Sequence, residues 1–260
     1  MSSVGQDPLA AFSVAGRVAL VTGARREIGR AIALALAAQG AKVIVHHAGG
    51  EEEASDAAEV VAAIGSDLSR AVAADFSREG EAARLAEVAS TIFGAVDILV
   101  LNASIEILED YRTISRATFD RQIAVNLAST LDLLQRLTPS MAERRWGRVL
   151  TIGSIQQDLP HPMMLVYAGA KAAQLNWVLN LARQLGPSGV TVNNLAPGAI
   201  LTARNRTQLR TDGEAYISRT PLGRVGAPDD LVGAALLLCS DAGRYITGVN
   251  LFVDGGRSIA

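Results

Sequence analysis

The chain has 260 residues, 49% of them hydrophobic and only 4% aromatic, with a formal net charge of −2 at pH 7. It is long enough to bury a large core, too apolar to be disordered, and too weakly charged to favour nucleic acid or an anionic membrane as partner. A single cysteine, Cys239, rules out a disulfide within the chain, and three histidines without neighbouring cysteines offer no zinc-ligand pattern, so no metal site is expected.

Residues 1–15 read as a loose tail without the basic segment and apolar run of a signal peptide. No stretch approaches the ~20 apolar residues that cross a bilayer, so a cytoplasmic protein is expected. From residue 16 to 260 a single domain is expected. The run 18–21 is short and continuously apolar, as in a strand covered on both faces. Ile28, Ile32, Ala33 and Leu36 then recur with helical period, and Gly40 stops the helix. Strand 43–45, helix 51–64, strand 71–74 and a helix closed by Gly94 follow. Strand 98–101 precedes a long helix, 119–143. Strand 148–152, helix 166–185, strand 190–195, a helix begun by Pro228 and strand 249–253 complete the alternation. Such β–α repetition with short connectors predicts a doubly wound parallel sheet of about seven strands, three layers in all, of the Rossmann type. The stretch 197–221 shows no strand and reads as a long functional loop, a lid beyond a strand end.

Three local patterns carry chemistry. Gly23, Arg25, Arg26, Ile28 and Gly29 form a strand-to-helix turn whose backbone N–H groups suit a pyrophosphate at a helix N-terminus. Tyr167 and Lys171 stand four apart on a helix, one turn from each other. An ammonium there favours phenolate and makes the phenol a usable general acid–base. Ser154, upstream, offers a second hydroxyl to a substrate oxygen. Cys239 lies in an apolar run and reads as a small buried hydrophobe. His46 and His47 are adjacent on a strand and point to opposite faces, against a shared metal.

From about residue 16 to 256 the chain resembles the short-chain dehydrogenase/reductase family, in its single-domain branch. The resemblance rests on the Gly23–Gly29 turn, Asn102-Ala103-Ser104 after the fourth strand, and Asn126, Ser154, Tyr167 and Lys171 in the order of the family's catalytic tetrad. It extends to Pro197-Gly198, Ile200 and Thr202 beside the nicotinamide, and to Pro221-Leu222-Gly223-Arg224 and Val253-Asp254-Gly255-Gly256. It implies that Asp75 meets the adenine, that Phe76 also binds the cofactor, that Lys171 also holds the nicotinamide ribose, that Asn126 supports a proton-relaying water, and that the chain forms a homotetramer. Val178, Leu179, Ala182, Leu185, Leu251 and Phe252 suit such subunit contacts, and equally a core. Two departures stand out: Glu27 replaces the middle glycine of the turn, and Leu101 and Ser104 replace the family's first Asn and its Gly.

An acid at the end of the second strand would bind the adenosine ribose and repel a 2′-phosphate. His47 occupies that place, and Arg25 and Arg26 offer charge-assisted donors to such a phosphate. NADP(H) is therefore expected over NAD(H), with Glu51–Glu53 close enough to oppose it. The expected reaction interconverts a carbonyl and a secondary alcohol of a small molecule, in the manner of 3-oxoacyl-(acyl carrier protein) reductases. Gln156, Gln157, Asp158 and His161 after the serine, and Arg204, Arg206 and Arg210 in the loop, open a second reading, an NAD-dependent sugar or polyol dehydrogenase. A third is a nucleotide sensor or scaffold without turnover, hinted at by Glu27 and Ser104.

Overall fold

A computed structural model describes the backbone of residues 8–260 and the side chains of all of these but 8, 208 and 212. Short β-branched and leucine-rich runs form the strands β1 (Val18–Val21), β2 (Lys42–His47), β3 (Ser69–Ala73), β4 (Ile98–Leu101), β5 (Gly147–Ile152), β6 (Val190–Pro197) and β7 (Asn250–Val253). They make one parallel sheet in the order β3-β2-β1-β4-β5-β6-β7. Alternate residues of β1 enter two different cores. Ala19 and Val21 pack with Ile32, Leu36 and Leu238, whereas Val18 and Leu20 pack with Leu85, Leu133 and Leu137. A strand buried on both faces has to be apolar throughout, which is why β1 shows no alternation.

The helices are α1 (Glu27–Ala38), α2 (Glu51–Ile64), α3 (Glu81–Ile92), α4 (Arg116–Ile123), α5 (Ser129–Glu143), α6 (Leu165–Leu185), α7 (Arg206–Ile217) and α8 (Val232–Cys239). The chain winds outward from β1 to β3, then returns to place β4 on the other side of β1. That reversal leaves a crevice at the carboxyl ends of β1 and β4, where open α/β sheets bind ligands.

Three expectations need correction. Of the expected loose tail, residues 1–7 lie outside the described residues, but Pro8–Phe12 forms a 3-10 turn and Val14 is buried in the core. The long helix of 119–143 is two helices joined by a π-helical segment, Ala124–Ala128, with Asn126 in it. The stretch 197–221 is not a loop throughout: it holds α7, whose residues RTQLRTDGEAYI lack a continuous apolar stripe. Of the residues suited to subunit contacts, Val178 and Ala182 belong to the core of this chain, while Leu179 and Phe252 are exposed.

Candidate active site

The carboxyl ends of β1, β4, β5 and β6 open into a cleft of about 910 Å³. Every residue expected to meet the dinucleotide lines it except Lys171. The turn after β1 is stapled to the turn after β4. Thr22 Oγ1 accepts from the N–H groups of Asn102 (2.9 Å) and Ala103 (3.0 Å), and Asn102 Nδ2 donates to the carbonyls of Thr22 (2.9 Å) and Gly23 (3.1 Å). Gly29 has no room for a side chain: a Cβ there would lie 2.3 Å from the Gly23 carbonyl oxygen. Leu101, where the family has Asn, is simply a core residue.

No side chain caps the N-terminus of α1, so its first-turn N–H groups are not claimed by a side-chain cap. Glu27 adopts the left-handed backbone that favours glycine, at φ 52°. Its carboxylate turns to the far side of the cleft and accepts the Ala203 N–H. The two arginines differ. Arg25 is largely buried and ion-paired to Glu53 (3.3 Å) and Asp56, whereas Arg26 is about half exposed, with only Glu27 nearby at 4.0 Å. Of the two arginines expected to meet a phosphate, Arg25 is already neutralised by carboxylates and Arg26 is the more exposed. His47 is buried with its Nδ1 lacking a partner among the described residues, an orphaned polar atom at the end of β2. His46 is structural: Nδ1 accepts the Gly23 N–H (3.0 Å), Nε2 donates to the Ala74 carbonyl (2.8 Å), and the ring stacks on Phe76. Burial holds its pKa down at about 4.

At the other end of the cleft the π-helical segment turns Asn126 inward. Its Oδ1 accepts the Ile105 N–H and its Nδ2 donates to the Ile105 carbonyl, both at 2.8 Å. The Asn126 carbonyl accepts Gln174 Nε2 at 2.6 Å, and that amide also donates to Thr130 (2.8 Å). π-bulges recur at functional sites because they re-aim one residue of a helix. Ser154 follows the end of β5, accepts the Gln156 N–H (3.1 Å) and lines the cleft with Tyr167, whose pKa its hydroxyl lowers. Lys171 is buried behind them, its Nζ donating to the Ile152 carbonyl (2.7 Å) and lying 5.8 Å from the centre of the Tyr167 ring.

The sequence leads one to expect a phenol made acidic by Lys171. The structure shows otherwise: burial raises the Tyr167 pKa, Arg204 opposes that rise, Glu106 adds to it, and the Ser154 hydroxyl lowers it. Burial, and then Arg204, hold the Lys171 pKa down at about 7, so the amine carries only part of a charge at neutral pH.

A model of the family described as enoyl-(acyl carrier protein) reductase matches residues 23–258. The chain belongs to the short-chain dehydrogenase/reductase family. It is 39% identical to the L-rhamnose 1-dehydrogenase (NADP(+)) of Thermoplasma acidophilum over 247 residues, which cover 94% of this chain and 97% of that protein. Among solved structures, a 3-oxoacyl (acyl-carrier-protein) reductase of Agrobacterium tumefaciens with NADP bound is 39% identical, with a TM-score of 0.88 over 98% of this chain and 99% of the other. A gluconate 5-dehydrogenase of Burkholderia cenocepacia, in complex with NADP and tartrate, is 29% identical, with a TM-score of 0.90 over 98% of this chain and 100% of the other.

In this short-chain dehydrogenase/reductase, Ser154 and Tyr167 face the cleft, while Asn126 and Lys171 stand behind them. Gln156 and His161 line the cleft, but Gln157 and Asp158 turn away toward Asn194 and Asn250. Of the three loop arginines only Arg204 reaches the cleft, held by the Ser104 carbonyl at 2.6 Å. Glu106, Arg219 and Arg257 also line it. Each of these three lies within two residues of a family motif but outside it, so the motifs did not single it out. Among the described residues, no group of three or more His, Cys, Asp or Glu could hold a metal ion.

Proposed function

We propose that the protein is an NADP(H)-dependent oxidoreductase that interconverts a carbonyl and a secondary alcohol on a small polar molecule. The Tyr167 phenol and the Ser154 hydroxyl, both lining the cleft with a buried amine behind them, carry this reading. A nicotinamide dinucleotide, when bound, supplies or accepts the hydride. The residues present fit such a group. The turn after β1 offers an α1 N-terminus without a side-chain cap, Gly29 leaves no side chain in the way, and His47, with an unpaired nitrogen, lines the same cleft as Arg26. Arg26, the NADP of the relatives and the absence of a carboxylate at the end of β2 favour the 2′-phosphate.

Tyr167 and Ser154 together hold the substrate oxygen. Tyr167 donates its proton to that oxygen in reduction and takes it back in oxidation. Ser154 steadies the oxygen with its own hydroxyl, and Asn126 fixes the wall formed by Ile105. Lys171, poised between charged and neutral forms near pH 7, is placed to share a proton with the phenol's surroundings.

Gln156, His161 and Glu106 at the substrate end suit a polyhydroxylated molecule better than an acyl chain. The similarity to a 3-oxoacyl (acyl-carrier-protein) reductase keeps that activity as the second reading. Steady-state rates with NADP(H) over a panel of sugars, hydroxy acids and 3-oxoacyl thioesters separate the two. Sugars or hydroxy acids are expected to win by kcat/KM. Dominance of the thioesters would reverse the order, and no dinucleotide turnover with any member would leave a binding protein.

A further inference from the structure

The segment after β6 crosses the mouth of the cleft and is bonded at both rims. The Ala203 N–H donates to the Glu27 carboxylate. The next residue, Arg204, donates from Nη2 to the Ser104 carbonyl at 2.6 Å, with the Ser104 hydroxyl 3.4 Å from both Nη1 and Nη2. Glu27 and Ser104 are the two positions where this chain carries side chains in place of family glycines. Both departures therefore serve one purpose, fixing consecutive residues of the same strap.

Arg204 shares with Arg219 and Arg257 the lack of a carboxylate partner among the described residues that line the cleft, and of the three it alone is bonded to Ser104. Arg25, Arg112, Arg148 and Arg224 are each paired to a carboxylate within 4.0 Å, but among the described residues Arg204 has no such partner. Its bonds go to neutral oxygens of Ser104, which leave its charge uncompensated and donors to spare. It lines the same cleft as Tyr167, and its field is felt by both the phenol and Lys171. Arg219 and Arg257 line the cleft as well, and the buried Nε of Arg257 has no partner. Glu106 is the acid whose field reaches the phenol, and a carboxylate there suits substrate hydroxyls.

We propose that Arg204 is a specificity-determining residue that binds a carboxylate of the substrate, with Ser104 and Glu27 as its positioning residues. The substrate is then a hydroxy or oxo acid bearing further hydroxyls, reacting at a carbon between the Arg204 and Tyr167 sites. This rests on the oxidoreductase reading above and narrows its substrate class. A guanidinium suits the task because it meets a carboxylate with two parallel, charge-assisted bonds.

Calorimetry on the full chain saturated with NADP+ tests this without requiring turnover, with gluconate and its neutral amide, gluconamide, as probes. Gluconate is expected to bind about tenfold tighter than gluconamide, the scale of one charged hydrogen-bonded contact. Arg204→Gln should erase that ratio, Arg204→Lys should keep part of it, and Ser104→Gly should reduce it by about threefold. Equal affinity in the wild type, or a ratio that survives Arg204→Gln, overturns the proposal. So does an Arg204→Gln defect confined to NADP+ itself. Turnover of neutral ketones or thioesters without gluconate binding sinks the carboxylate assignment and leaves the oxidoreductase reading intact. Selective gluconate binding by a protein that turns over no substrate sinks the oxidoreductase reading instead.

Discussion

The two walls of the cleft are built differently. The inner wall, from the turns after β1, β4 and β5 to the face of α6, is buried and cross-bonded: Thr22, Asn102, Asn126, Lys171 and Gln174 all spend polar atoms on backbone groups. The outer wall, residues 199–219, is largely exposed and meets the rest of the cleft through a few bonds, those of Ala203 and Arg204 among them. A wall whose polar groups are committed to the backbone holds reacting atoms in place. A wall with uncommitted charges leaves them for a ligand.

The sharpest way to break this contrast is to remove a polar group from each side. Asn126→Ala strands both the N–H and the carbonyl of Ile105 and should cost about 2–4 kcal/mol of stability, read by urea denaturation. Arg204→Gln should change stability by no more than about 0.5 kcal/mol, as at an ordinary surface position. Equal costs would show that the outer wall is as structural as the inner one.

The inner wall should also answer to acid. His46 has its folded pKa lowered from 6.5 to about 4, so between these values the unfolded chain binds a proton that the folded chain refuses. Stability therefore falls as pH drops through that window, and His47, shifted the same way by burial, adds to the fall. Between pH 7 and pH 5 the unfolding free energy should drop by about 1–2 kcal/mol. His46→Gln should flatten the slope, and a slope unchanged in that variant would remove His46 as its source.

Cofactor selection should be the smallest effect and should split between neighbours. Arg26→Ala should lower the ratio of kcat/KM for NADP over NAD about tenfold, the scale of one charge-assisted contact. Arg25→Ala should lower it about threefold or less, because Glu53 and Asp56 already neutralise that guanidinium. The opposite ranking would mean that the ion pairs of Arg25 open for the phosphate.

The inner wall was legible in the sequence because geometry dictates its residues. Gly29 must be glycine where a Cβ would strike a carbonyl, and Tyr167 and Lys171 must be four apart to share a helix face. The alternation of strands and helices was legible for the same reason, since both cores demand continuous apolar strands. The π-helical turn at Asn126 was not, because it depends on Ile105 and Gln174 from elsewhere in the chain. Neither was α7, which has no stripe to announce it, nor the raised Tyr167 pKa. Burial is a property of the assembled fold, and it, not the amine that the spacing alone brings to mind, is the largest influence on Tyr167.

The most direct experiment is a single turnover of pre-bound NADPH with the best substrate of the panel, in wild type and Tyr167→Phe, with NADPH affinity measured on the same samples. The variant should bind NADPH within about threefold of wild type yet transfer hydride at least about 10²-fold more slowly, since the ring remains and only the proton carrier is lost. Hydride transfer at close to the wild-type rate would show that the proton comes from another group and that the Tyr167–Ser154 pair is not the catalytic centre.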